Sequence, residues 1–156
     1  MRRRRTTKRT TPQDARFNSK LVQKMINMVM DQGKKSLAER IVYQAIDQAS
    51  QKLKVAEPLE VLQKAVENAR PHVEVKARRV GGATYQVPIE VRQDRGIFIA
   101  LRWLRDFARG RPGKPMRDRL ADELVSAYQG QGSAVKRKED MHRMAEANRA
   151  FSHYRW

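Results

Sequence analysis

The sequence predicts a mainly α-helical protein: a bundle-like body of six helices, with one protruding two-stranded β-hairpin arm between the third and fourth helices. Two patterns lead to this prediction. Apolar residues recur at helical spacing through most of the chain. Only residues 73–91 alternate between apolar and polar side chains, on either side of Gly81-Gly82, as a β-hairpin does. A chain of 156 residues is long enough for a single domain with one modest core.

The helices are expected from apolar periodicity and from residues that favour helix ends. Their approximate ranges are 19–31, 36–53, 58–70, 94–109, 116–128 and 134–150. Asn18 is a candidate cap for the first helix, and Ser36 with Glu39 has the spacing of a capping box before the second. Pro58 suits the first turn of the third helix, and Pro71 ends that helix.

The hairpin also carries a prediction of strand register. Pairing the apolar face of one strand with that of the other places Val75 opposite Ile89 and leaves residues 81–83 as a three-residue loop. A two-residue loop would instead place Val75 opposite Pro88 and mismatch the two faces. Proline donates no backbone hydrogen bond, so we expect the second strand to lie at an edge.

The sixth helix and its tail form a basic C-terminal segment, residues 133–156. Ser133 is a candidate cap, and the helix is polar on nearly every side. The tail combines Phe151, Tyr154 and Trp156 with cationic side chains, which suits stacking on unpaired bases or packing into an RNA or protein surface. The alternative is that these three aromatic residues fold back onto the body of the protein.

The charge of the chain points to a polyanionic partner. Basic residues outnumber acidic ones by 34 to 17, which gives a net charge of +17 and a pI near 10.9. Nucleic acid is the first candidate and an anionic membrane surface the second. No apolar run reaches the length of a membrane span, and no secretory signal is expected at the basic start. The absence of cysteine excludes disulfides and thiolate metal sites.

Residues 1–16 are expected to form a flexible basic arm. Seven basic residues stand there against one acid, Asp14, and no apolar periodicity is present. Such a block of like charge is typical of a nucleic-acid-binding tail, and a solvated tail that aids solubility is the alternative.

The sequence predicts no enzyme. The three histidines, His72, His142 and His153, lack the spacing of metal ligands, and His142 is expected to be a surface hydrogen-bond donor. Neither a nucleophile motif nor a phosphate-binding loop occurs, so we expect no catalytic residue, no metal site and no cofactor.

Several stretches resemble one family. VKARRVGGATYQVPIEV, IALRWLRDFARGRPGKPM and AVKRKEDMHRMAEANRAFSHYRW are similar to segments of the bacterial and organellar small-subunit ribosomal protein seven family. The upstream stretches GKKSLAERIVYQA and PLEVLQKAVENARPHVEVKARRVGG match as well. The similarity runs from about Gly33 to Trp156. The start, MRRRRTTKRTTPQD, is basic like the arm of the family without matching it closely.

The resemblance implies a structural ribosomal protein. Such a protein binds the 3′ major domain of small-subunit ribosomal RNA directly, nucleates assembly of the head, and lies at the subunit interface near the exit-site tRNA and the mRNA path. Its expected neighbours are small-subunit protein eleven and other head proteins. Neither a homo-oligomer nor a membrane association is expected, and the expected location is a cytoplasmic or organellar small subunit.

Positive charge is what the residues expected to bind ribosomal RNA have in common. They are Arg2, Arg3, Arg4, Arg5, Lys8, Arg9, Lys34, Lys35, Lys76, Arg78, Arg79, Arg92, Arg95, Arg102, Arg109, Arg111, Lys114, Arg117, Lys136, Arg137 and Lys138. The residues implied on the tRNA side of the interface are Arg78, Arg79, Gly81, Gly82, Tyr85, Arg143, Arg149, Tyr154 and Trp156.

Two other classes of protein share part of this pattern. DNA-architectural proteins also extend basic β-arms from a helical body, but they usually need two-fold arms with a proline wedge at the tip. The tip here is Gly-Gly-Ala, and Pro88 lies low on the second strand. A membrane-surface peptide needs a strong apolar face beside its basic one, which the last helix lacks.

Overall fold

A computed structural model describes residues 10–154 and confirms the mainly helical fold with a hairpin between the third and fourth helices. The elements are α1 (Lys20–Val29), α2 (Lys35–Leu53), α3 (Pro58–Ala69), β1 (Val73–Val80), β2 (Ala83–Glu90), α4 (Gln93–Gly110), α5 (Met116–Tyr128), α6 (Ser133–Ala147) and a C-terminal 3₁₀ turn (Arg149–Tyr154). The residues expected to bind RNA at positions 2–9, and Trp156, lie outside the described range.

The hydrophobic core is built around α5, which packs against α2, α3, α4 and α6. Leu120 and Leu124 of α5 are fully buried, as are Leu62 of α3 and Leu101 and Leu104 of α4. Each comes from the apolar stripe of an amphipathic helix, and burying that stripe is what stabilises short helices of this kind.

Asp14 belongs to the folded body, although the flexible arm was expected to extend to residue 16. The carboxylate of Asp14 is only 3% exposed. It accepts hydrogen bonds from the backbone amides of Arg16, Phe17 and Ser19 at 3.1, 2.8 and 2.8 Å, and from the hydroxyl of Tyr43 at 3.3 Å. Burial alone would raise the pKa of Asp14, but these four hydrogen bonds hold it below its ordinary value.

Arg16 joins the same turn to α2. Its guanidinium donates to both carboxylate oxygens of Asp47 at 2.8 and 3.1 Å, and it lies over the rings of Phe17 and Tyr43. Residues 14–16 therefore belong to the folded body, and Arg16 is not part of a free arm.

The expected caps of α1 and α2 are both wrong. Asn18 adopts a left-handed conformation with φ of 48°, and the side chain of Ser19 caps α1 instead by accepting from the amide of Leu21. The capping box at Ser36 is absent because α2 already begins at Lys35, so Ser36 lies inside the helix. The side chain of Glu39 instead forms an ion pair with Lys35 at 3.7 Å.

The expected hairpin register is also wrong. Val75 lies opposite Pro88, and Val80 opposite Ala83, so the loop holds only Gly81 and Gly82. Both glycines have positive φ, +56° and +89°, as a type I′ turn requires. The twist of that turn matches the twist of paired strands, and this preference outweighs the matching of apolar faces.

The base of the hairpin tolerates this register because both of its faces contact helices, one face α4 and the other α6. On one face Val87 is buried, and Glu74 receives hydrogen bonds from Arg95 of α4 at 2.9 Å. On the other face Val73 and Pro88 border α6. Apolar side chains can therefore point to both sides near the body, while the distal half of the hairpin is exposed.

The start of α6 is held by a carboxylate from α5. Glu123 is fully buried, and its Oε1 atom accepts from the backbone amide of Ala134 at 3.1 Å, while Oε2 pairs with Arg111. A negative charge at the N-terminus of a helix is favourable because the unpaired amides there carry partial positive charge. Glu123 thus takes the place expected for Ser133, which lies inside the helix.

The middle of α6 is held by a histidine. The Nε2 atom of His142 accepts a hydrogen bond from the backbone amide of His72 at 3.0 Å, so His142 is an acceptor and its expected role as a surface donor is wrong. The ring must be neutral, with its proton on Nδ1. Burial, together with His72 and Lys138 nearby, lowers the pKa of His142.

The aromatic residues of the C-terminal turn fold back onto the hairpin. The ring centroids of Phe151 and Tyr154 lie 5.1 and 5.2 Å from that of Tyr85 in β2. These two residues therefore fold back within the protein, but onto the hairpin arm and not onto the helical body that the alternative named. The contact joins the end of the chain to the hairpin arm.

Replacing Leu104 by Ala should lower the free energy of unfolding by about 2–5 kcal/mol, because a fully buried side chain would leave a cavity between α4 and α5. Urea denaturation measures the change. A change within about 0.5 kcal/mol, as at a surface position, would contradict this placement of α4.

Acidification should weaken the docking of α6 through His142. The folded-state pKa of His142 lies below the unfolded value, so its contribution is fully present above about pH 6.5 and is lost as the pH falls below it. A His142→Gln variant can accept the same hydrogen bond without titrating. Urea denaturation at about pH 7.5 and 5.5 should show a larger loss of stability for the wild type. Equal losses for the two proteins would contradict this role of His142.

Candidate nucleic-acid interface

The hairpin carries exposed basic side chains along its first strand. Arg78 and Arg79 directly precede Val80, the last residue of β1, and both are exposed. Lys76 lies nearer the body, 3.5 Å from Glu74, with half of its side chain exposed. The Gly81-Gly82 turn follows directly, so these three cations line one strand up to the tip.

Arginines also line the solvent-facing side of α4. Arg95, Phe98, Arg102 and Arg109 follow one another at spacings of three, four and seven residues, which places them on one side of a helix. We refer to these four residues as the α4 stripe. The hydrogen bond with Glu74 raises the pKa of Arg95, and Arg102 lies 3.5 Å from Asp106. The side chains of Arg95 and Arg102 remain more than half exposed.

The C-terminal end of α1 gathers a further group of cations. Arg109 donates to the carbonyl oxygen of Val29 at 3.2 Å, and Arg105 donates to that of Met28 at 3.4 Å. Such donors satisfy the free carbonyls at a helix end and interact favourably with its dipole. Lys34 and Lys35 follow at the start of α2. Arg105 was missed as a member of this group, although its spacing of three from Arg102 was visible in the sequence.

Three of the expected RNA-binding residues, two between α4 and α5 and one in the first turn of α5, have internal partners. Arg111 is paired with the buried Glu123, Lys114 lies 3.0 Å from Asp122, and Arg117 lies 3.5 Å from Asp118. The exposed ion pairs of Lys114 and Arg117 contribute little to stability. The pair of Arg111 differs because its partner, the carboxylate of Glu123, is fully buried, so loss of the arginine would leave an uncompensated buried charge.

Asp122 is shared by two lysines. Lys52 of α2 and Lys114 both donate to its carboxylate. The hydrogen bond from Lys52 is the main reason that the pKa of Asp122 lies below its ordinary value, although burial opposes the shift. The contact between Lys52 and Asp122 connects the end of α2 to the middle of α5.

The outer side of α6 adds cations without close acidic partners. Within residues 10–154, neither Lys136 nor Arg137 forms an ion pair, and both are exposed. Arg143 and Arg149 have loose pairs on the same element, at 3.9 Å to Asp140 and 3.5 Å to Glu146, with about four fifths of each arginine side chain exposed. Arg79 and Arg92, elsewhere in this described range, likewise lack an ion pair.

Among residues 10–154, no three histidine or acidic side chains come together as metal ligands. In the same part of the chain, none of the helices is long and apolar enough to cross a membrane.

Comparison with known proteins gives a consistent assignment. The model of the family described as ribosomal protein S7p/S5e matches residues 1–149. The small ribosomal subunit protein uS7 of Chloroflexus aggregans (strain MD-66 / DSM 9485) is 63% identical over 147 residues, covering 94% of this chain and 93% of the relative. The protein of the same name from Thermotoga maritima is 56% identical over 156 residues, with both chains covered completely.

A family of ribosomal proteins, rather than of enzymes, is in keeping with a basic surface that surrounds a helical core. The match extends across the fold, including the hairpin, the α4 stripe and α6. The chain belongs to the ribosomal protein S7p/S5e family.

Proposed function

We propose that this protein is a structural component of the small ribosomal subunit that binds the 3′ major domain of its ribosomal RNA directly and organises assembly of the head. The observation that carries the proposal is the presentation of cations on separate limbs of one packed body. Arg79 on the hairpin, Arg92 before α4, and Lys136 and Arg137 on α6 lack acidic partners among the described residues. The names of the relatives support the small subunit as the site of assembly.

Separate limbs suit folded RNA better than a straight duplex. Phosphate contacts from lysine and arginine provide affinity and fix orientation, while selectivity for RNA comes from its shape and from unpaired bases. A hairpin, a helix face and a terminal helix that leave one core in different places can each meet a different RNA helix at a junction. The expected RNA-binding residues of the arm, the hairpin, α4, the 111–117 segment and α6 all belong to this proposal.

The hairpin and the C-terminal turn form one surface, which we assign to the subunit interface near the exit-site tRNA and the mRNA. Tyr85 packs against both Phe151 and Tyr154, so the two elements are held together. Arg78 and Arg79 on the hairpin and Arg143 and Arg149 on α6 and the turn supply positive charge to it. Small-subunit protein eleven is the neighbour that we expect on this side.

Binding of a ribosomal RNA fragment that contains the 3′ major domain should depend steeply on salt. With about eight phosphate contacts, the logarithm of the association constant should fall with the logarithm of the salt concentration at a slope of roughly −6. Filter binding at several salt concentrations measures the slope. Duplex DNA in equal mass should fail to displace the RNA. Binding that is insensitive to salt, or equal affinity for duplex DNA, would contradict the proposal.

Replacing Arg78 and Arg79 together by Ala should weaken RNA binding without loss of stability, because both side chains lie near the exposed tip of the hairpin. The salt slope should become shallower by about two. A control variant with Arg40→Ala and Lys64→Ala removes the same charge from α2 and α3, away from the proposed contacts. Equal weakening by the two double variants would show that net charge alone matters and that the hairpin has no specific role.

A further inference from the structure

Phe98 is the member of the α4 stripe that folding does not explain. It is 54% exposed, more than any other large hydrophobic side chain in the described range. The apolar residues of α4 that build the core, Ala100, Leu101, Leu104 and Ala108, are all fully buried on another side of the helix. Phe98 therefore contributes little to the core, although it lies in an otherwise regular amphipathic helix.

Two arginines flank the exposed ring. Arg95 precedes Phe98 by three residues and Arg102 follows it by four, so both lie beside it on the helix surface. Glu74 orients Arg95. The Nε atom of Arg95 donates to the carboxylate of Glu74 at 2.9 Å, and its Nη2 atom lies 2.8 Å from the same carboxylate. Arg102 lies 3.5 Å from Asp106, with 62% of its side chain exposed. Each arginine thus lies about one helical turn from Phe98, with more than half of its side chain exposed.

We propose that Phe98 is a stacking site for one unpaired RNA base, with Arg95 and Arg102 contacting the phosphates on either side of that nucleotide. The inference rests on the proposed RNA-binding function and adds a residue that positive charge alone does not reveal. A nucleotide offers a planar base and an anionic phosphate a few ångströms apart. An exposed phenyl ring, with an exposed arginine one helical turn before it and another one turn after it, presents the complementary pair of surfaces.

The base must be unpaired, since bases within a duplex are stacked on one another and leave their faces covered. The recognition would tolerate any base because each has a π-face. A protein partner is less well matched by this surface. An apolar protein contact needs a contiguous exposed patch. Of the neighbours of Phe98 at helical spacing, Asp94, Arg95 and Arg102 are charged and exposed, and the apolar Leu101 is buried in the core.

The ionic and aromatic parts of this site can be separated by their salt dependence. Phosphate contacts release counterions, whereas stacking does not, so removing the ring should lower affinity without changing the salt slope. Removing a phosphate contact should lower affinity and also make the slope shallower by about one.

The test compares variants at position 98 in binding to the 3′ major domain fragment of small-subunit ribosomal RNA. Phe98→Ala and Phe98→Leu should each weaken binding by about tenfold with an unchanged salt slope, because leucine keeps apolar area but has no π-face. Phe98→Tyr should bind like the wild type. Arg102→Gln should weaken binding and reduce the slope. Leu37→Ala, which shortens an apolar side chain that is 47% exposed on α2, serves as the matched control and should bind normally.

The outcomes distinguish this site from the proposed function as a whole. If the wild type binds the RNA and Phe98→Ala binds equally well, the stacking site is wrong while the proposed function stands. If Phe98→Ala weakens binding but Phe98→Leu binds as tightly as the wild type, the contact is apolar and not a stack, and the inference is overturned. If the wild type fails to bind, both proposals fail. Circular dichroism should show that all variants are folded, since the replaced ring lies outside the core.

Discussion

Three buried carboxylates hold the basic limbs of this protein to its body. In a chain of net charge +17, limbs rich in lysine and arginine repel one another and gain little from apolar contact. Asp14, Glu74 and Glu123 are the buried acidic residues of the described chain, and each lies where a limb joins the core. Asp14 fixes the turn that follows the N-terminal segment, Glu74 ties the hairpin to α4, and Glu123 holds the start of α6.

The pairing of each carboxylate explains why burial is tolerated. A buried ionised group is costly unless hydrogen bonds compensate for the lost water. Asp14 accepts hydrogen bonds from three backbone amides and one hydroxyl. Glu74 accepts from the guanidinium of Arg95. Glu123 accepts from the amide of Ala134 at the N-terminus of α6 and from Arg111. Because these groups are already matched inside the protein, the unpaired cations further out remain available to an external polyanion.

The elements could be predicted from the sequence, but their connections could not. Helical periodicity and the prolines located the helices within a few residues, since these signals act locally. The register of the hairpin depended on whether Gly81-Gly82 forms a two-residue turn, and the alternation of side chains favoured the wrong answer. The anchoring roles of Asp14 and Glu123 involve partners up to 29 residues away and backbone amides that no side-chain pattern identifies. Positive charge found the expected arginines and lysines, whereas Phe98 became noticeable only when its exposure was known.

The glycine pair at the end of the hairpin sets the width of the hairpin at its tip. Within the tip, Gly81 and Gly82 present only main-chain atoms, and both have open space around them. The arm therefore narrows toward its end to the thickness of a bare polypeptide. It can enter a crevice between two larger bodies that would exclude a loop with ordinary side chains. Any other residue there would be strained by the left-handed backbone as well as by the added width.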